Sequence, residues 1–505
     1  MGVAKQPSVH EPSIHDMGEL QGTLFSPEYN RSIQVEARPE KVSGDAGALL
    51  MRELMERLGY GGLFEKHLTD PRNAAQVTHP QAELLRSALL LLVQGWSDQS
   101  DVGLLRNDPA FRLAVSSRRG ERPLREAAGR EPEGLCSQAT LSRLYQDLGL
   151  ARNRAGLGAV LLDAAEWRTG LRPGERHREV TLDLDSLPYE VFGHQPGSAW
   201  NGHYRMSCYH PLVVRSEWGD FLGAKLRPGN VHTADGGLAF VLPVLRRARA
   251  WAERVWLRID AGFPEPELLD VLEEEGFLYV ARLKTNAALE RLAAPHLASL
   301  SAAAPGQGGV RTKELLYRAG SWNHARRVVL VMVERADEQG ELFTNHFFLL
   351  SNASVATAGE ALLERYRQRG TAEKDFGDWK QALDVSLSST PRPKTHYRGR
   401  AVDGPYTEPD SFAANEAHLL LSLIAANLLH AGTCLLEQEG AARMSRSRFR
   451  QLLLKTAGRV TGGSRRVTFV IEAARAALWR RFVASLDRLY PVRGSPALQA
   501  LPTPA

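Results

Sequence analysis

Hydrophobic positions divide the chain into stretches of different period. From Ala46 to about Trp167, leucine returns every three or four residues in "ALLMRELMERLGY", "AELLRSALLLLVQGW" and "SQATLSRLYQDLGL", the spacing of amphipathic helices. Ser137 stands where the third of these needs its cap. At Val180 the period changes. "VTLDLDSLPYEVFG", "HYRMSCYHPLVVRS" and "FLGAKLRPGN" predict three consecutive strands, and an amphipathic helix follows near Gly236 to Ala252. "RVWLRID" predicts a short apolar strand ending in an acid, "PEPELLDVLEEEG" a helix with Pro at its start and Gly at its end, and "FLYVARL" a fifth strand. From about Thr285 to Ser351 further strands are expected, including "RRVVLVMVER" and "LFTNHFFLLSN". After a Pro- and Arg-rich loop come an apolar helix around Asn415 to Leu436 and then basic helices.

The order β-β-β-α-β-α-β is that of a ribonuclease-H-like fold, three antiparallel strands followed by crossovers that add parallel ones. The expected class is therefore α/β, a ribonuclease-H-like catalytic domain with a β-rich insertion between helical N-terminal and C-terminal regions. The expected boundaries are an irregular leader over 1–44, a helical DNA-binding domain over 45–175, the catalytic domain over 176–400 with its insertion at about 285–351, a basic helical region over 401–490 and a tail over 491–505. The helix that begins at Ser137 carries Gln138, Thr140, Ser142 and Arg143, a polar start similar to the reading helix of a helix-turn-helix; a plain bundle helix is the alternative.

Composition adds two constraints. The formal charge is only +5, but eleven Lys or Arg residues face a single acid, Glu472, between Ala441 and Ser485. That is either a solvated face or a surface for a polyphosphate partner. Cys136, Cys208 and Cys434 lie far apart and in no metal-ligand spacing, which argues for a reducing cytoplasm. The most apolar runs are short or interrupted by His and Asn, so buried helices are expected and no membrane span.

Candidate chemistry lies in the acids. A ribonuclease-H-like fold gathers carboxylates from its first strand, the end of its fourth and the helix after its fifth, and here those places are filled by Asp183 or Asp185, Asp260 and Glu373. Three hard oxygen donors suit Mg²⁺, and a pair of such ions serves in-line phosphoryl transfer. An ordinary strand with one polar face is the alternative for Asp183 and Asp185, which share a face by their period of two. In "YRQRGTAEKDFGDWK" a helix turning about 100° per residue would put Tyr366, Arg369, Glu373 and Lys380 on one stripe about 60° wide. Such a stripe is either an ion-pair ladder, worth little at a surface, or a carboxylate beside cations that grip phosphates.

The spacing of Tyr366, Arg369, Glu373 and Lys380 resembles the signature of the insertion-sequence-four-like superfamily of DDE transposases. "DVGLLRNDPAF", "LCSQATLSRLY", "LDLDSLPYEVFGHQPGSAWNGHYRMSCYHPLVV", "RIDAGF" and "SFAANEAHLLLSLIAANLL" resemble the insertion-sequence thirteen-eighty family, over about Ala46 to Tyr490. The resemblance implies Asp185, Asp260 and Glu373 as the catalytic, metal-binding triad, with Asp185 preferred over Asp183 because Ser186 follows it. It implies two Mg²⁺ ions, with Mn²⁺ as a substitute, and Tyr366, Arg369 and Lys380 on the DNA backbone. It also implies cut-and-paste transposition by a bacterial, cytoplasmic, nucleoid-associated protein that acts on terminal inverted repeats and target DNA as a dimer. A nuclease that cuts without joining and a catalytically inactive derivative that still binds DNA are the competing readings.

Overall fold

The β-branched and aromatic runs after Val180 come together in one mixed sheet. The computed structural model describes residues 23–36, 41–126, 134–171, 174–301, 309–336, 342–383, 385–389, 396–397, 400–401, 411–437, 444–463 and 466–492. The sheet has eight strands: β1 (His177–Ser186), β2 (Leu212–Ser216), β3 (Phe221–Lys225), β4 (Ala252–Ile259), β5 (Leu278–Leu283), β6 (Val310–Tyr317), β7 (Arg326–Ala336) and β8 (Leu342–Ser351). They lie in the order β6-β7-β8-β5-β4-β1-β2-β3. β1, β2 and β3 are antiparallel neighbours, whereas β4 is parallel to β1 and β5 to β4. β8, β7 and β6 extend the β5 edge as an antiparallel meander, so the expected insertion continues the main sheet.

Helices flank this sheet. α1 (Gly47–Arg57), α2 (Gln81–Gln94), α3 (Gln138–Leu148) and α4 (Ala151–Arg168) precede it, and Ser137 caps α3 by accepting from the Thr140 backbone N–H. α5 (Gly237–Ala248) and α6 (Pro266–Glu274) are the crossovers into the parallel strands, and α7 (Ala287–Ser301) follows β5. α8 (Gly359–Arg367) and α9 (Arg369–Leu383) come after β8, and α10 (Ser411–Leu436) and α11 (Ala476–Leu489) close the chain. Leu182 and Leu184 point into a core with α5 and α6. Val213, Phe221 and Ala224, on the other side of the sheet, join a larger core built from α1–α4, α9, α10 and α11. The N-terminal and C-terminal helical regions therefore share one core.

Four expectations change. Residues from Thr285 to Ser301 were expected to continue the strands but hold α7, because an Ala- and Leu-rich run favours helix and Asn286 accepts from the Ala288 and Leu289 backbone N–H groups at its start. The second expected strand splits at His210 and Pro211: Met206–Tyr209 joins a small sheet with Tyr189–Glu190 and Ala199–Asn201, and Leu212–Ser216 becomes β2. Proline has no N–H for a ladder, which fits its place at the seam. The C-terminal region is not all helix. Gly458–Gly463 and Arg466–Ile471 form a hairpin, to which Val42–Ser43 adds; the alternating "RVTFVI" has strand period, with β-branched residues. The leader carries short strands at Thr23–Phe25 and Val35–Glu36, while residues 1–22 and the tail from 493 lie outside the described residues.

α10 is long and apolar enough to cross a membrane, yet 94 % of its most apolar window is buried inside the protein. It serves as the axis of the helical core and as a cover for the sheet edge. Asn427 accepts from the Phe221 N–H and donates to the Phe221 carbonyl, both at 2.8 Å, so one buried carboxamide satisfies both backbone groups of an edge-strand residue. Asn427→Leu should lower stability by about 1–3 kcal/mol for each backbone group left unpaired, measured as a shift in the urea unfolding midpoint.

Candidate active site

From Glu179 onward, the alternating polar residues on one face of β1 each meet an arginine. Glu179 and Thr181 accept from Arg365 of α8, both at 2.6 Å. Asp183 accepts from Arg258 Nε at 2.5 Å and Nη2 at 2.8 Å, and Arg215 Nη1 stands at 3.4 Å. These two arginines are its register neighbours in β4 and β2. All three side chains are buried, so Asp183 is occupied by guanidinium groups on both sides. Asp185, one step further along the face, meets Arg369 Nη2 at 2.9 Å.

Arg369 is the point at which the expected acids meet. Its guanidinium lies 2.9 Å from Asp185, 3.9 Å from Asp260 and 3.2 Å from Glu373. Asp260 follows β4 in a tight turn where its Oδ1 accepts from the Gly262 N–H at 2.8 Å. A Cβ at Gly262 would fall 2.8 Å from the Thr233 methyl and 3.1 Å from that carboxylate, so the turn needs glycine. The three acids differ in access: side-chain exposure is 8 % for Asp185, 38 % for Asp260 and 61 % for Glu373. Burial pushes the Asp185 carboxyl up to about 6, Arg369 opposes this, and Asp260 and Glu373 add to it. A buried carboxylate, Asp185, beside two carboxylates that remain open to solvent is a donor set that fits a divalent cation.

Tyr366 and Lys380 flank this cluster. Tyr366 is half-buried and packs on the small core that includes Trp256, Leu349 and Leu362 beneath α8. Lys380 Nζ donates to the Pro188 carbonyl just beyond β1 and lies 5.8 Å from the Tyr189 ring centroid. Burial holds the Lys380 ammonium below its ordinary value, and Asp185 and Cys208 oppose the shift. The helix expected to carry all four signature residues is interrupted at Gln368, so Tyr366 belongs to α8 and the other three to α9. Gly370, a weak helix former, adjoins the break, and no atom lies within 4 Å of where its Cβ would be.

Sequence reasoning missed Arg215, Arg258 and Asp375. Each is a charge in an otherwise apolar context, "LVVRS", "VWLRI" and the buried face of α9, which is the signal that could have found them. It also missed Tyr204, whose hydroxyl is raised by burial and further by Asp185 and Asp260.

Two other expected surfaces are partly taken up inside the protein. Gln138 and Ser142 of α3 line a polar cavity of about 180 Å³ with Gln99, Ser389 and His418, and Ser142 donates to Gln99 at 2.7 Å. Arg143 stays exposed. Of the basic residues after Ala441, Arg446 is buried on Asp378, Arg450 donates to the Val93 carbonyl, Lys455 pairs with Asp45, and Arg475 donates to the Leu452 carbonyl. Arg448, Arg466 and Arg480 are exposed. Away from the sheet's acids, Asp270, Glu273 and His324 offer ligand atoms within 4.8 Å of one another. The buried Arg326 guanidinium already pairs with both carboxylates there.

A family model described as transposase DDE domain group 1 matches residues 25–396, a span that includes the three acids, Tyr366, Arg369 and Lys380. No curated protein matches the chain.

The raised Asp185 carboxyl has a sign that can be tested. Between its ordinary 3.8 and about 6 the folded state holds the more protons, so this group's contribution to stability falls as pH rises through that window. With chelator present, the melting temperature of Asp185→Asn should therefore rise more, or fall less, between pH 4 and pH 6 than that of the wild type; equal slopes would show that Asp185 is not the titrating group.

Proposed function

The chain belongs to the DDE transposases of domain group 1, and on that premise we propose that it cuts DNA at the ends of a mobile element and joins those ends to target DNA. The observation that carries this reading is the convergence of Asp185, Asp260 and Glu373, far apart in sequence, on the single Arg369 guanidinium. The strand order β3-β2-β1-β4-β5, with its antiparallel and parallel pairs, supports a ribonuclease-H-like catalytic domain. The Tyr366, Arg369, Glu373 and Lys380 spacing supports the insertion-sequence-four-like superfamily and its thirteen-eighty branch.

Asp185 is the first acid of the triad in this reading, because Asp183 is saturated by Arg258 and Arg215 whereas Asp185 opens toward Asp260 and Glu373. Two Mg²⁺ ions, or Mn²⁺ in their place, held by Asp185, Asp260 and Glu373, would activate the attacking oxygen and stabilise the leaving one. Arg369 keeps the three acids together in the free protein and offers its guanidinium to a DNA phosphate. Tyr366 and Lys380, at either side of the acids, are assigned to neighbouring phosphates. Water attack on the phosphodiester at each element end releases a 3′-hydroxyl, and that hydroxyl then displaces a 3′-oxygen in the target strand, so phosphodiesters are exchanged without another energy source.

The exposed Arg143 of α3 and the exposed Arg448, Arg466 and Arg480 support helical and C-terminal regions that bind terminal inverted repeats. Two ends must be held for one joining event, which favours a dimer on DNA. The family and the buried place of α10 support a cytoplasmic protein acting at the nucleoid.

Pre-cleaved end DNA incubated with a supercoiled target and Mg²⁺ should give joined products. Cleavage without joining would identify a nuclease, and neither activity, with end binding retained, an inactive derivative. Glu373→Gln should abolish both steps and leave end binding within about twofold of wild type, whereas Lys380→Ala should weaken end binding and lower its salt slope by about 1, read from fluorescence anisotropy titrations.

A further inference from the structure

Beneath the bridge formed by Asp185, Arg369 and Glu373 lies a second bridge of the same form, acid–arginine–acid. Asp183 is two residues before Asp185 on β1, and Asp375 is two residues after Glu373 on α9. Arg215 of β2 spans them, its Nη1 3.4 Å from Asp183 and its Nη2 paired with Asp375 Oδ2. The two bridges thus join the same strand to the same helix at two depths. They differ in access: Arg215 and Asp183 have side-chain exposures of 1 % and 0 %, and Asp375 of 6 %, against 61 % for Glu373.

The lower bridge is anchored beyond the two elements it joins. Arg258 grips Asp183 with two nitrogens and donates to the Arg365 carbonyl near the end of α8. On the other side, Arg446 lies 4.0 Å from Asp375 and pairs with Asp378 at 2.8 Å. Three arginines and three aspartates therefore balance, and the charges that set the strand-to-helix spacing, Asp183, Arg215 and Asp375, are each buried. The upper bridge has no such protection: every charge in it is one that the proposed chemistry needs for cation or phosphate.

We propose that Arg215 and Asp375 are positioning residues that hold Glu373 in register with Asp185 when Arg369 turns from the acids to the DNA. The inference rests on the reading of Asp185, Asp260 and Glu373 as cation ligands. A buried charged bridge of this kind adds geometry more than stability, since an apolar pair of similar volume often replaces one without loss of fold.

The test is Mn²⁺ binding to the full-length protein without DNA, followed by electron paramagnetic resonance, alongside thermal unfolding. Asp375→Asn should weaken Mn²⁺ binding by about 10–100-fold, the range found when partners of metal ligands are removed. Asp163→Asn, which breaks the ion pairs of α4 with Lys66 and Arg247 outside the bridge and its anchors, should leave Mn²⁺ affinity unchanged even where it lowers the melting temperature. If Asp375→Asn does not fold, the paired replacement Arg215→Met with Asp375→Leu takes its place, with the same weakening expected. Mn²⁺ affinity equal to wild type in a folded bridge variant, or an equal loss in Asp163→Asn, would overturn the positioning role. A wild-type protein that binds no Mn²⁺ would instead overturn the reading of the acids themselves.

Discussion

Asp183 lies in the middle of the sheet with none of its surface exposed, and Arg258 and Arg215 occupy the register positions on either side of it. An unpaired carboxylate there would cost several kcal/mol, so β1, β2 and β4 are tied together by charge as well as by their ladders. The same two arginines reach out of the sheet to the helices that cover it, Arg258 to the end of α8 and Arg215 to Asp375 of α9. The junction of α8 and α9 is thereby held over the end of β1, which is where the candidate site forms.

From that constraint the rest of the site follows by position. Once β1 and α9 are fixed, the period of two carries Asp185 one step beyond Asp183, and the i,i+4 spacing on α9 brings Arg369 and Glu373 together beside it. Asp260 enters from the end of β4, the parallel neighbour of β1. Apart from Asp375 the buried residues of α9 below Glu373 are apolar: Ala372, Phe376 and Trp379 pack into the helical core, which is completed by α10 from the far end of the chain. Fold and site share this architecture, because the helix that presents Glu373 to solvent is seated by residues between its functional ones.

Much of this was legible in the sequence, for identifiable reasons. The strands after Val180 and the crossover helices have clean periods and sharp Gly or Pro boundaries, so their order could be read directly. Ser137 as a cap and the acids at element ends were legible because each is a local signal. What escaped is partly local and partly long-range. The run from Ala287 was drawn into a β-rich stretch although its composition favours helix, and the C-terminal hairpin was masked by the basic charge around it. The helix expected to carry Tyr366 through Lys380 without a break is interrupted at Gln368, which a projection at constant pitch cannot reveal. The choice between Asp183 and Asp185 was open in the sequence because alternation puts both on one face. Only their partners distinguish them, and Arg215 and Arg258 lie 32 and 75 residues from Asp183.

The central claim is that Asp185 works with Asp260 and Glu373 while Asp183 is consumed in holding the sheet to α9. Diffraction from crystals soaked in Mn²⁺, with anomalous differences collected at the manganese edge, tests it most directly. The account predicts anomalous density among the Asp185, Asp260 and Glu373 carboxylates with Asp183 still gripped by Arg258. Density on Asp183, or at Asp270, Glu273 and His324 alone, would contradict it.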